Sequence, residues 1–162
     1  MTTATALAHT VMQCSFSMTD LYLSLGSNLG DRHTLILKAI EALVQRVGTL
    51  VRCSSFIETE PWGFESDHPF LNAVALYRTS LTPREVLTVT QAIERELGRH
   101  QKSENAYVDR PIDIDILLYG QECVQEPDLQ IPHPLMADRP FVMKPMAEVA
   151  PELAAELFNP KL

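Results

Sequence analysis

The sequence predicts an α+β sandwich, an antiparallel sheet with two main helices on one face, and three observations carry that expectation. Apolar periodicity gives the element order β-α-β-β-α-β, without the strict strand-helix alternation of a doubly wound sheet. At 162 residues, 46% of them apolar, the chain can bury one good core and is too short for two ordinary domains. Met1 to about Met18 are rich in Thr, Ala and Ser and show no usable period. One domain over residues 19–162, preceded by a loose extension over 1–18, is therefore expected.

Leu21-Tyr22-Leu23-Ser24-Leu25 is a short apolar strand stopped by Gly26-Ser27-Asn28. Ile36, Ile40, Leu43, Val44 and Val47 fall at helical spacing, predicting a helix from about Gly30 to Val47 that ends at Gly48. A strand of about Leu50 to Glu58 follows, with Val51, Cys53, Ser55 and Ile57 on one face. The irregular loop Thr59 to Pro69 holds Pro61, Gly63 and the sole tryptophan, Trp62. Phe70 to Thr79 is apolar on both faces, as an internal strand is. Thr82-Pro83-Arg84-Glu85 then combines an N-cap Thr, a Pro at the first helical position and a Glu three residues after the cap. Val86, Val89, Ile93 and Leu97 continue that helix to Gly98, and a polar loop from Arg99 to Asp109 leads into the last strand. After Gly120 the chain is proline-rich (Pro127, Pro132, Pro134, Pro140, Pro145, Pro151), which implies short helical turns laid over the sheet with no second core. The order is that of a ferredoxin-like sandwich.

Thirteen basic residues against 21 acidic give a net charge of −8, which argues against non-specific binding to nucleic acid or to an anionic membrane. An anionic ligand must then be met by a local cluster of cations. No apolar run approaches the roughly 18 residues that span a bilayer, and the N-terminus lacks the Lys/Arg-rich start of a signal peptide. Cys14, Cys53 and Cys123 are odd in number and widely spaced, so they read as free thiols of a cytoplasmic protein.

The segment from Asp109 to Tyr119 carries the chemistry. Side chains alternate along a strand, so Asp113 and Asp115 share one face while Ile112, Ile114 and Ile116 share the other. Two ionised carboxylates side by side on a half-buried strand cost several kcal/mol unless cations compensate them. A divalent metal is one compensator; an edge strand with its Asp pair turned to water is the alternative. Arg110 just before the strand, with Arg99, Lys102, His133 and Arg139 in the same half of the chain, suggests a polyphosphate held between metal-bound carboxylates and cations. Gly26-Ser27-Asn28-Leu29-Gly30 lacks the Gly-Lys-Ser/Thr of a phosphate loop and reads as a tight turn with an Asn28 or Asp31 helix cap. The glycines could still bring backbone close to a flat ligand.

Leu25-Gly-Ser-Asn28, Phe70-Leu-Asn72-Ala, Gly98-Arg99, Asp109-Arg-Pro-Ile-Asp-Ile-Asp115, Ile131-Pro-His-Pro134 and Arg139-Pro-Phe141 together resemble the 6-hydroxymethyl-7,8-dihydropterin pyrophosphokinases of folate biosynthesis, in order and over about Leu21 to Leu153. The resemblance implies transfer of a diphosphate group from ATP to the hydroxymethyl group of a reduced pterin, with release of AMP. It implies that Asp113 and Asp115 hold two Mg²⁺ ions bridging the triphosphate, in keeping with two-metal phosphoryl chemistry, whose ions sit about 4 Å apart. Arg99 and Arg110 would grip the phosphates and His133 and Arg139 complete the cationic side, although His133 between prolines could serve only its turn. Gln91, Glu94, Lys102 and Ile116 match nucleotide-side positions, with a structural ion pair as the other reading of Glu94. Phe70 and Phe141 would stack the pterin ring, Asn72 would read its edge, and Thr59, Trp62 and Gly63 would supply the remaining edge contacts. A pterin is planar with a guanine-like edge, so stacking plus a rigid set of donors and acceptors suits it.

The sequence departs from the family pattern between Arg99 and Asp109, a loop expected to act as a lid. Gln101 stands where many members have a second Arg, and Asn105 to Tyr107, with a one-residue insertion, where many have a Trp; Lys102 and Tyr107 are the candidate replacements. Phe70 stands where Tyr is common. ATP and the pterin are the expected partners, with no nucleic acid, membrane or obligate protein partner. An RNA-binding sheet is disfavoured by the acidic charge. A small-molecule sensor without catalysis would need no metal pair, and a Mg²⁺-dependent phosphohydrolase would pass phosphate to water in place of the pterin.

Overall fold

A computed structural model describes residues 17–99 and 108–158. Most of the proposed extension over 1–18 lies outside the described residues, as do Gln101, Lys102, Asn105 and Tyr107 and with them most of the expected lid.

The elements run β1 (Thr19–Ser27), α1 (Arg32–Arg46), β2 (Gly48–Cys53), β3 (Ile57–Thr59), β4 (Phe70–Thr79), α2 (Pro83–Glu96), β5 (Asp113–Tyr119), β6 (Val124–Glu126), β7 (Leu129–Ile131), a 3-10 turn (Met136–Asp138), α3 (Pro140–Val149) and α4 (Pro151–Phe158). The main sheet has the antiparallel order β2-β4-β1-β5, with β3 also paired to β4. This is the expected α+β sandwich: α1 and α2 cover one face, burying Ile36, Ala39 and Leu43 from α1 and Val86 and Ile93 from α2 against Leu21, Leu23, Leu25, Ile112, Ile114 and Ile116. The capping box is present as read, with the Thr82 hydroxyl accepting from the Glu85 N–H and the Glu85 carboxylate from the Thr82 N–H.

Three readings are corrected. The sheet's second face is buried too: Val142, Met143, Met146 and Val149 of α3 pack with Ala154 of α4 on Tyr22, Val74, Leu76, Leu117 and Leu118. The prolines had suggested turns, but Pro140 and Pro151 sit at helix starts, where a missing N–H costs nothing. The strand expected over Leu50 to Glu58 is interrupted. There the Ser54 hydroxyl accepts from the Val74 N–H at 2.9 Å, and both the N–H and the hydroxyl of Ser55 are drawn to Glu148 on α3, at 2.8 and 2.6 Å. Val51 and Cys53 are exposed while Leu50 and Phe56 pack on the core. Finally, α1 starts at Arg32 behind an Asp31 cap and ends at Arg46 with Val47 as its C-cap, and Gly48 belongs to β2. A Cβ at Gly48 would lie 2.0 Å from the Arg78 carbonyl oxygen, so close strand approach explains that glycine.

Candidate active site

Strand register assembles the site. Ile57 on β3 pairs with Asn72 on β4, Asn72 with Gly26 on β1, and Gly26 with Asp113 on β5, so these four form one row across the sheet. Two strand spacings put Asn72 and Asp113 about 10 Å apart. Gly26 lies between them, and a Cβ there would stand 3.0 Å from the Asn72 amide oxygen. Asn72 is 3% exposed and donates to the Thr59 hydroxyl at 2.7 Å, which fixes the amide's direction. The row points its polar groups to the α3 side, at the end of the sheet beyond the second core.

The carboxylates are met by three guanidinium groups. At the end of α2, Gly98 (φ +107) lets the Arg99 N–H return to the Glu94 carbonyl at 2.9 Å and the Gly98 N–H to the Arg95 carbonyl at 3.1 Å. That paired closure is a Schellman motif, and it turns Arg99 back toward its own helix and the start of β5. Arg99 Nη1 then bonds both the Glu94 carboxylate and Asp113 Oδ1, the latter at 2.6 Å. Burial works against the Arg99 charge, and Asp113 and Glu94 more than offset it, holding its pKa above the ordinary arginine value. Arg110 Nη1 approaches Asp113 Oδ2, and Arg139 Nη1 approaches Asp115 Oδ2, each at 3.9 Å. Glu94 is thus tied to Arg99, the structural reading of that residue; Gln91 is half-buried one turn earlier on the same helix.

Aromatic rings flank the charges. The Arg139 guanidinium lies 4.8 Å from the Trp62 ring centre and 5.6 Å from that of Phe141, and the two rings meet edge-on at 6.3 Å. Arg110 lies 5.5 Å from the Phe70 ring, which also meets Phe64 edge-on at 6.2 Å. Each ring proposed for stacking therefore carries a guanidinium that also approaches a carboxylate of the pair. Gly63 has φ +83, a conformation that frees the turn after Trp62. His133 donates its N–H to the Leu117 carbonyl at 2.9 Å and accepts from the Leu135 N–H at Nδ1, which anchors its turn on β5. Ile116 has its side chain buried in the core under α1 and α2.

Sequence reasoning missed the polar latch that joins the loops. Asn28, 3% exposed, exchanges backbone and side-chain bonds with Arg110 at 3.1 and 2.7 Å and donates from its amide to the His68 carbonyl at 3.1 Å and to Asp109 Oδ1 at 2.7 Å. Asp109 Oδ1 also accepts from the Ser66 hydroxyl at 2.6 Å. The partners lie up to 82 residues apart in sequence, a pairing that no local pattern reveals.

The donor set suits a hard divalent ion. Asp113 and Asp115 have side chains 18% and 23% exposed, on one face of β5 and open to solvent. Among the described residues no cluster of three His, Cys, Asp or Glu forms. Two carboxylates with the remaining places left to water and phosphate oxygens is how Mg²⁺ is commonly held at nucleotide sites.

The chain matches over residues 22–151 the family model described as 7,8-dihydro-6-hydroxymethylpterin-pyrophosphokinase. It belongs to that family. A pyrophosphokinase of Porphyromonas gingivalis (strain W83), named 2-amino-4-hydroxy-6-hydroxymethyldihydropteridine pyrophosphokinase, is 58% identical over 147 residues, covering 90% of this chain and 100% of that one. Its namesake from Bacillus subtilis is 42% identical over 136 residues, covering 83% of this chain and 80% of the relative. Among solved structures, a Plasmodium falciparum HPPK-DHPS superposes with a TM-score of 0.66 at 16% identity, covering 84% of this chain and 42% of that one. That likeness concerns the fold, and this pyrophosphokinase-family chain spans about two fifths of the longer Plasmodium chain.

Proposed function

We propose that the carboxylate-bearing end of β5 is where this chain carries out the reaction of its family, transfer of the pyrophosphoryl group of ATP to the hydroxymethyl group of 6-hydroxymethyl-7,8-dihydropterin in folate synthesis. The convergence of Asp113 and Asp115 with Arg99, Arg110 and Arg139 at one end of the sheet is the observation that carries the reading. ATP is the co-substrate. Asp113 and Asp115 would hold two Mg²⁺ ions, which when bound neutralise triphosphate charge and polarise the phosphorus under attack.

The chain's own groups have distinct tasks. Arg110 and Arg139, each with Nη1 3.9 Å from a carboxylate of the pair, would turn to phosphate oxygens when these arrive. Arg99, buried and locked to Glu94, is a fixed positive wall behind Asp113. The pterin lies flat among Phe70, Phe141 and Trp62, with its edge read by Asn72 as oriented by Thr59. The hydroxymethyl oxygen attacks the β-phosphorus, the bond from that phosphorus to the α-bridging oxygen breaks, and AMP leaves while the hydroxyl proton passes to solvent water. The row from Asn72 through Gly26 to Asp113 sets the distance between ring edge and phosphates. Among the described residues no helix is long and apolar enough to cross a membrane.

The metal assignment has a direct test. Titrating Mn²⁺ into the protein with a non-hydrolysable ATP analogue, followed by electron paramagnetic resonance, should count two bound ions. Asp115→Asn should count fewer and lose most turnover. Two ions of unchanged affinity in that variant contradict the assignment.

A further inference from the structure

We propose that Asp109 is a positioning residue for pterin binding: it latches the loop that carries Trp62 and Phe64 to the entrance of β5. The proposal rests on the placement of the pterin among Phe70, Phe141 and Asn72 and goes beyond it, because the polar partners of Asp109 are Ser66, Asn28 and His68. Its Oδ1 accepts from Ser66 at 2.6 Å and from Asn28 at 2.7 Å, and Oδ2 faces His68 Nε2 at 3.9 Å. The Ser66 hydroxyl in turn accepts from the His68 N–H at 3.1 Å, so one carboxylate organises a whole turn. The neighbouring anchors are neutral carbonyls, His68 to the Asn28 amide and Pro69 to Arg32 at 2.9 Å. Through Ser66, Asp109 ties this loop to the segment that carries Arg110, the guanidinium that covers Phe70.

The consequence is a division of labour. Glu94 and Arg99 fix the phosphate side without Asp109, so the latch governs one substrate more than the other. A hydroxyl-to-carboxylate bond is stronger than a neutral one, and its loss lets the loop sample positions that bind no pterin.

The test compares pterin and ATP-analogue binding by calorimetry, with steady-state kinetics, in the full chain. Asp109→Ala should weaken pterin affinity about tenfold, in line with one charge-assisted hydrogen bond, and leave ATP-analogue affinity within about twofold. Ser66→Ala should move pterin affinity the same way by less, and the double variant should be no worse than Asp109→Ala, because both changes release one latch. Asp109→Asn keeps an oxygen at the Oδ1 position but loses the charge, and should recover part of the loss. Asn72→Ala separates the two readings. If it weakens pterin binding while Asp109→Ala and Ser66→Ala do not, the latch is wrong and the pterin placement stands; if Asn72→Ala has no effect, the placement itself fails. An equal loss of both ligands in Asp109→Ala also overturns the proposal, since the residue would then act through Arg110.

Discussion

At the residue scale, what a side chain does here depends on whether its partner is local. Asp113 and Asp115 were legible because strand alternation alone puts them on one face, and Ile112, Ile114 and Ile116, all 6% exposed or less, are the buried set that alternation requires. Asn72 was legible from the family pattern, and the structure adds that the Thr59 hydroxyl holds its amide. Asp109 was not, because Ser66 and Asn28 lie 43 and 81 residues away. Its partners also leave a titration signature. The Ser66 hydroxyl first, then the Asn28 amide, with His68 and Arg110 adding charge, hold the Asp109 carboxyl below the usual carboxylate range. A carboxyl depressed on folding adds stability above its unfolded pKa of about 3.9 and loses it as pH falls through the lower folded value. The melting-temperature gap between parent and Asp109→Ala should therefore be present at about pH 5 and close as pH falls below about 4. A gap that widens below about pH 4 would contradict this account of the latch.

At the element scale, helices with clear chemical punctuation were readable and the last third of the chain was not. Thr82, Pro83 and Glu85 mark the start of α2 by bonds within four residues. The second helical layer is different. Pro140, Pro145 and Pro151 read as breaks, while the apolar face of α3 makes sense only against Val74, Leu76 and Leu117 from distant strands. That layer matters to function because Arg139 and Phe141 stand at the start of α3. Met143 and Met146 are fully buried there. Met143→Ala should lower the unfolding free energy by about 2–5 kcal/mol, the range for emptying a packed core site. Chemical denaturation checks it, and a loss below about 0.5 kcal/mol, typical of surface changes, would mean that this face carries no core.

At the scale of the whole molecule, an acidic chain of net charge −8 gathers Arg99, Arg110 and Arg139 around two carboxylates, and it does so at the end of a sheet whose both faces are packed. On the proposed placement, the row across β3, β4, β1 and β5 would hold the pterin edge and the phosphates at a fixed separation, which is what a transfer between two bound molecules needs. Two carboxylates and three guanidinium groups could in principle direct attack to either the β- or the γ-phosphorus, so the product decides. Incubation of the purified chain with ATP, Mg²⁺ and 6-hydroxymethyl-7,8-dihydropterin, with nucleotides and pterins separated by chromatography, is the most direct measurement. AMP and a diphosphorylated pterin should form one for one, and neither should form when the pterin is left out. ADP and free phosphate released at the same rate with and without the pterin would contradict the central claim.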